Sequence, residues 1–188
     1  MTMHIITGKH RGARLETLDS KQLRPTMGKV REALFNILCH GPMLAPNYLE
    51  GLDILDIFCG CGSLGFEALS RGAKSVTFID RSREALDIVK KNAKHLREEE
   101  TCQFVCTDSS RLPSAKQAYH LAFIDAPYDQ KLTLPCLTSL AKGGWLNQNA
   151  LICVEVSKTE DLVFPQGYVL DDERHYGRTK LVFLRYSS

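Results

Sequence analysis

Short apolar runs alternate with amphipathic segments along most of the chain. Residues 52–58, 75–79, 102–107, 121–124 and 150–156 read as strands. Between them, residues 63–71, 83–96 and 129–141 read as helices, the second with Leu86, Val89, Ala93 and Leu96 on one face. Upstream, Val30, Ala33, Leu34, Ile37 and Leu38 recur at helical spacing and predict a helix over 28–39, stopped by Gly41-Pro42. Residues 3–24 read as short strands broken by Gly8 and Gly12, and residues 168–174 and 180–185 as an antiparallel pair. Strands that alternate with helices predict an α/β fold with a doubly wound, mainly parallel sheet. The final pair adds antiparallel strands at one edge. The organisation expected is a small arm over 1–27 and a main domain over 28–188, with no internal repeat.

Bulk properties narrow the setting. A length of 188 residues suits one domain with a sizeable core. No apolar stretch is long enough to cross a bilayer, and the start is too quickly basic for a signal peptide. The expectation is a cytoplasmic protein without a membrane partner. Seven cysteines, an odd number without a secretion signal, argue for reduced thiols. Cys59-x-Cys61 has no second pair at zinc-finger spacing, so no metal is expected. The net charge is +2, but residues 1–31 hold seven basic and two acidic side chains, a local +5 that leaves −3 for the remainder. A basic arm on a mildly acidic body suggests a polyanion met at one end. The plainer alternative is a solvated surface hairpin.

The turn after the first core strand carries chemistry. Asp56-Ile57-Phe58-Cys59-Gly60-Cys61-Gly62-Ser63-Leu64-Gly65 places glycines at the G-x-G-x-x-G spacing. They permit a tight turn and a close approach of ligand to backbone. Asp80 ends the next strand about 20 residues later, where a carboxylate accepts both hydroxyls of a ribose. Two cofactors compete, NAD(P) and S-adenosylmethionine. The first needs a pyrophosphate at the helix N-terminus and a substrate domain, for which the remaining length leaves little room. The second carries an ammonium, and Asp56 stands where such a group wants a carboxylate. The alternative reading of Asp56 is a strand-end carboxylate that hydrogen-bonds its own turn. Asp108 ends the third strand, either beside an adenine amine or as a turn-initiating residue.

Asp125-Ala126-Pro127-Tyr128 follows the apolar run 121–124, at the strand end where open α/β sheets hold ligands. A carboxylate, turn carbonyls and an aromatic ring there suit a flat base that bears an amine. An aromatic amine is a poor nucleophile, because its lone pair is delocalised into the ring. Asp125 accepting one N–H and the Ala126 carbonyl the other would favour the transition state as charge builds on nitrogen. Pro127 stiffens the turn, and Tyr128 stacks on the base.

Together these motifs resemble the bacterial small-subunit rRNA guanine-N2 methyltransferases known as the RsmD family. The likeness covers nearly the whole chain. It includes residues 8–15 (GKHRGARL), 23–26 (LRPT), 30–36 (VREALFN), 56–73, Asp80, the Asp125 tetrapeptide and the hairpin Tyr176-Gly177-Arg178-Thr179. The resemblance implies a Rossmann-like class I methyltransferase that uses S-adenosylmethionine on a guanine of 16S rRNA in the small ribosomal subunit. The expected catalytic set is Asp125, Ala126, Pro127 and Tyr128. The expected cofactor set is Arg24, Thr26, Asp56, Phe58, Gly60, Gly62, Asp80, Arg81, Asp108 and Ser109. Lys9, Arg11, Arg14, Arg24 and Arg178 are expected to meet rRNA. Nothing demands a dimer, so a monomer is expected. Two departures stand out: Ala126 replaces the usual first proline of the tetrapeptide, and Cys61 stands where small or hydroxyl residues are common. The tetrapeptide alone is shared by methyltransferases of adenine, cytosine and protein amides. The alternatives are therefore methyl transfer to adenine or a protein amide, an rRNA-binding protein that no longer catalyses, and a small NAD(P) oxidoreductase.

Overall fold

The structure, a computed structural model, describes residues 3–18, 27–41, 44–128 and 130–187. Its elements in chain order are β1 (Met3–His4), β2 (Arg14–Leu15), α1 (Met27–His40), β3 (Asp53–Ile57), α2 (Ser63–Ser70), β4 (Ser75–Asp80), α3 (Arg83–Leu96), β5 (Cys102–Cys106), β6 (Tyr119–Asp125), α4 (Thr133–Lys142), β7 (Leu146–Ser157), β8 (Tyr168–Tyr176) and β9 (Thr179–Tyr186). Seven strands form one sheet in the order β5-β4-β3-β6-β7-β9-β8. The first five are parallel; β9 runs antiparallel to both β7 and β8.

Both faces of the central strands β3, β4, β6, β7 and β9 are covered, so these carry near-continuous apolar runs, whereas the edge strand β8 is largely exposed. On one face, Phe78 of β4 and Phe123 of β6 pack with Phe35 of α1, Phe66 of α2 and Val89 of α3. On the other, Ile57, Ile79, Ile124 and Val154 pack with Cys136, Leu137 and Leu140 of α4 and with Trp145. The helix expected from residue 129 starts at Thr133. Lys131 has a left-handed backbone, φ 50°, which a right-handed helix cannot include. The N-terminal segment forms only the two-residue pairs of β1 and β2; Gly8 and Gly12 turn the chain between them at φ 89° and 82°.

The N-terminal segment is locked to the sheet's helices. Met3, Ile5 and Leu15 enter the same apolar cluster as Phe35 and Phe66. Glu67, fully buried on α2, accepts the backbone N–H groups of Ile6 and Thr7 at 2.7 and 3.0 Å, and the Arg71 guanidinium at 2.8 Å. Ser70 ends α2 with a second clasp: its carbonyl accepts the Lys9 N–H and its hydroxyl accepts the His10 N–H. Here Gly8 has no substitute, since a Cβ would lie 1.8 Å from the Ser70 carbonyl oxygen. Lys9 and His10 both pair with Glu98, whose side chain is 5% exposed.

Removing the central acceptor should release this segment. Glu67→Ala strands the Arg71 charge and two part-buried amides and is expected to cost about 3–5 kcal/mol in denaturant unfolding. Hydrogen exchange at residues 6–10 should accelerate in the same variant.

Candidate functional site

The chain reverses its direction of winding between β3 and β6. Strands β4 and β5 lie on one side of β3, while β6 and β7 lie on the other. That reversal opens a crevice beyond the carboxyl ends of neighbouring strands. The register sets what lines it. Ile57 pairs with Ile79 on one side and Ile124 on the other, so the next residues, Asp80, Phe58 and Asp125, stand in one row. Glu155 of β7 is the register partner of Asp125 and extends the row.

The glycine loop crosses this edge. Phe58 has φ 61°, a left-handed value that costs a residue with a Cβ about 1–2 kcal/mol. It turns the chain out of β3 while its ring packs against the α4-side core. The glycines of the loop divide by role. At Gly60, φ 53°, a Cβ would meet nothing within 4 Å, so the backbone lies open to an approaching group. At Gly62 and Gly65 a Cβ would lie 2.7 Å from the Phe66 ring and 2.4 Å from the Phe78 ring, so packing requires them. Gly62 also donates its N–H to the Cys59 carbonyl.

Two carboxylates hold this loop. Asp56 is 1% exposed and accepts the Gly65 N–H at 2.9 Å, bracing the start of α2 from beneath. Burial pushes its carboxyl up to about 8, opposed by the Gly65 N–H and reinforced by the Asp80 charge. Asp80 accepts the Gly60 N–H on one oxygen and the Ser82 N–H on the other, tying the loop to the start of α3. Asn92 of α3 adds a further tie. It exchanges both backbone hydrogen bonds with Glu16 and donates to the Cys61 carbonyl at 3.0 Å, joining the N-terminal segment to the loop.

A slot opens next to the loop, lined by Phe58, Ile79, Asp80, Thr107, Ser109 and Leu132, with Arg81 and Asp108 at its margin. The slot is small, about 40 Å³, and brings the apolar side chains of Phe58, Ile79 and Leu132 together with the carboxylates of Asp80 and Asp108. Asp108 is exposed and its carboxylate accepts the Ser110 N–H and hydroxyl, capping the short turn over 109–111. Ser109 is buried and Arg81 exposed.

Asp125 and Tyr128 are both half-buried, while Ala126 is buried and Pro127 exposed. The Tyr128 hydroxyl donates to Glu155 and bonds Thr179, each at 3.0 Å. Asp125, Ala126, Pro127 and Tyr128 therefore lie on the same edge as the glycine loop and the slot. Arg11, Arg14 and Arg178 are exposed; Lys9 is exposed too, but its ammonium lies 2.6 Å from Glu98. Arg24 and Thr26 lie outside the described residues. Sequence reading missed Ile79, Thr107, Leu132, Asn92, Glu155 and Thr179. Ile79 and Leu132 look like ordinary core residues, and only the strand register brings Glu155 to Asp125. Among the described residues no three His, Cys, Asp or Glu side chains gather to hold a metal, and no helix is long and apolar enough to cross a membrane.

Comparison with known proteins gives this edge its context. The family described as Conserved hypothetical protein 95 matches residues 3–185. The Haemophilus influenzae protein named ribosomal RNA small subunit methyltransferase D is 36% identical over 179 residues, covering 93% of this chain and 89% of that protein. The Escherichia coli K12 protein of the same name is 34% identical over 177 residues, with 94% and 86% covered. The solved structure of yhhF from Escherichia coli superposes with a TM-score of 0.83 at 28% identity, covering 100% of this chain and 99% of that one. The expected fold, a parallel doubly wound sheet with antiparallel carboxyl-terminal strands, is the one these proteins share.

The raised Asp56 carboxyl makes a pH test. In the unfolded chain it ionises near 4, in the folded chain only near 8, so its contribution to stability is full below pH 4 and is lost as pH rises to 8. Asp56→Asn keeps an acceptor for Gly65 and removes the titration. Its stability relative to the unsubstituted chain is expected to rise by about 2–4 kcal/mol between pH 5 and pH 8 in denaturant unfolding.

Proposed function

The chain belongs to the Conserved hypothetical protein 95 family, and we propose that it transfers a methyl group from S-adenosylmethionine to the exocyclic N2 amine of a guanine in 16S rRNA. The observation that supports this reading is the row Asp80, Phe58 and Asp125, which brings the Asp125 turn level with the slot that Phe58 and Asp80 line. Relatives named as small-subunit rRNA methyltransferases support rRNA as the substrate.

The residues present fit the donor. Asp80 would take its ribose hydroxyls, Phe58, Ile79 and Leu132 would enclose its adenine, and Arg81, Asp108 and Ser109 would border that base. Gly60 would let it approach the loop backbone, Gly62 keeps that loop folded, and the ammonium of the bound donor would draw the buried Asp56 carboxyl back to its ionised form. Arg24 and Thr26 are proposed at its methionine end. When bound, the donor supplies an electrophilic methyl group on a sulfonium.

The chain's own residues would then prepare the nucleophile. Asp125 accepts one N–H of the guanine amine and the Ala126 carbonyl the other, which draws the nitrogen lone pair out of conjugation. Both bonds strengthen as positive charge develops on nitrogen, so they favour the transition state over the ground state. Asp125 need not be a strong base, because the departing proton becomes acidic as the nitrogen is methylated. Pro127 restricts the turn and Tyr128 stacks on the base, worth about 1–3 kcal/mol. Arg11, Arg14 and Arg178, exposed and outside any ion pair among the described residues, would meet phosphates, and Lys9 and Arg24 are proposed to join them. In this reading residues 1–27 form the rRNA-contacting arm, residues 28–188 the transferring domain, and the protein acts as a cytoplasmic monomer.

The test is methyl transfer from labelled S-adenosylmethionine to small subunits lacking the modification, naked 16S rRNA, DNA and a protein amide substrate. Label is expected in 16S rRNA as N2-methylguanine; label only in DNA or protein, or none, refutes the reading. Asp125→Ala is expected to lower kcat by about 10²–10³ while donor affinity stays within a few-fold.

A further inference from the structure

The Tyr128 hydroxyl has no part in the proposed chemistry, yet it is held by two side chains from two other strands. It donates to Glu155 Oε1 on β7 and bonds Thr179 Oγ1 at the start of β9, both at 3.0 Å. Thr179 is 5% exposed. A phenol has one proton and accepts as well as donates, so it can give its proton to Glu155 and accept one from Thr179.

The arrangement closes a loop. The main chain runs from Asp125 through Ala126 and Pro127 to Tyr128. From the Tyr128 ring the hydroxyl reaches back to Glu155, which pairs with Asp125 across the β6–β7 register. The turn is thus fixed at its backbone start and again at its side-chain end. The second restraint matters because proline would lock φ at position 126, whereas Ala126, restricted only by the following Pro127, keeps a wider range. With the hydroxyl committed at the far edge of the ring, Tyr128 meets a base by its face and not by hydrogen bonding. Burial, opposed by the Thr179 hydroxyl and reinforced by Glu155, pushes the phenol up to about 12, so its proton stays in place at any working pH.

We propose that Glu155 and Thr179 are positioning residues for the transfer: through the Tyr128 hydroxyl they hold the aromatic ring beside Asp125 in the pose that stacks the target base. This rests on the methyl-transfer reading above. Neither residue touches the reacting atoms; each acts through Tyr128.

Tyr128→Phe, Glu155→Ala, Glu155→Gln, Thr179→Val and the double variant Tyr128→Phe/Glu155→Ala test this, assayed with labelled S-adenosylmethionine on unmodified small subunits. Tyr128→Phe keeps the ring and is expected to lower kcat about tenfold, equivalent to ~1.4 kcal/mol of transition-state stabilisation, with donor affinity within twofold. Glu155→Ala should give a similar loss and Thr179→Val a smaller one. Glu155→Gln, which retains an acceptor for the phenol, should recover most of it. The double variant should be no slower than either single one, because both remove the same bond. Full activity of Tyr128→Phe, or losses that multiply in the double variant, would overturn the proposal. Thermal unfolding supplies a readout independent of activity: melting shifts of the two single variants should fail to add, and full additivity overturns the tether. A wild-type chain that transfers no methyl group to any substrate overturns the proposed function instead, and leaves the tether to be decided by the melting shifts.

Discussion

Everything at the functional edge depends on the register of β3 between β4 and β6. Ile57 pairs with Ile79 and Ile124, and that alignment alone brings Asp80, Phe58 and Asp125 level, although they are far apart in the chain. A two-residue slip of β6 against β3 would move Asp125 along the strand by roughly 6–7 Å, beyond hydrogen-bond reach of anything held over the glycine loop. The fully buried phenylalanines on one face and isoleucines on the other penalise such a slip. The core therefore does more than stabilise; it sets the spacing between the slot and the Asp125 turn.

The loop itself is held by polar contacts. Asp56 beneath Gly65, Asp80 beside Gly60 and Asn92 under Cys61 fix three points of a segment that carries a left-handed phenylalanine. Asn92 and Glu67 bind the N-terminal segment to α3 and α2 through backbone groups of Glu16, Ile6 and Thr7. Basic residues of that segment are thus carried on a surface rigidly connected to the loop. Lys9 differs from Arg11 and Arg14 in this respect, since Glu98 already takes its charge.

Much of this was legible in the sequence, for identifiable reasons. Strands buried on both faces leave apolar runs, and α3 leaves a helical stripe, so the alternating elements could be read directly. Asp80, Asp108 and Asp125 could be read because a carboxylate just past an apolar run marks a strand end. The start of α4 could not, because the left-handed Lys131 has no signature in residue type. Leu132 and Ile79 are indistinguishable from core residues until the slot is seen. The glycine spacing identified the loop but not its division of labour; only the neighbours of each missing Cβ separate Gly60, open, from Gly62 and Gly65, packed. Glu155 and Thr179 were invisible for another reason: their meeting with Tyr128 comes from the order of β6, β7 and β9 in the sheet.

The central claim is that this edge methylates one guanine of 16S rRNA. Mass spectrometric mapping of 16S rRNA from cells with and without the intact gene tests it most directly. The account predicts that a single N2-methylguanine disappears when the gene is removed and returns with the wild-type gene but not with Asp125→Ala. An unchanged methylguanine map, or a lost methyl group on another base, would contradict it.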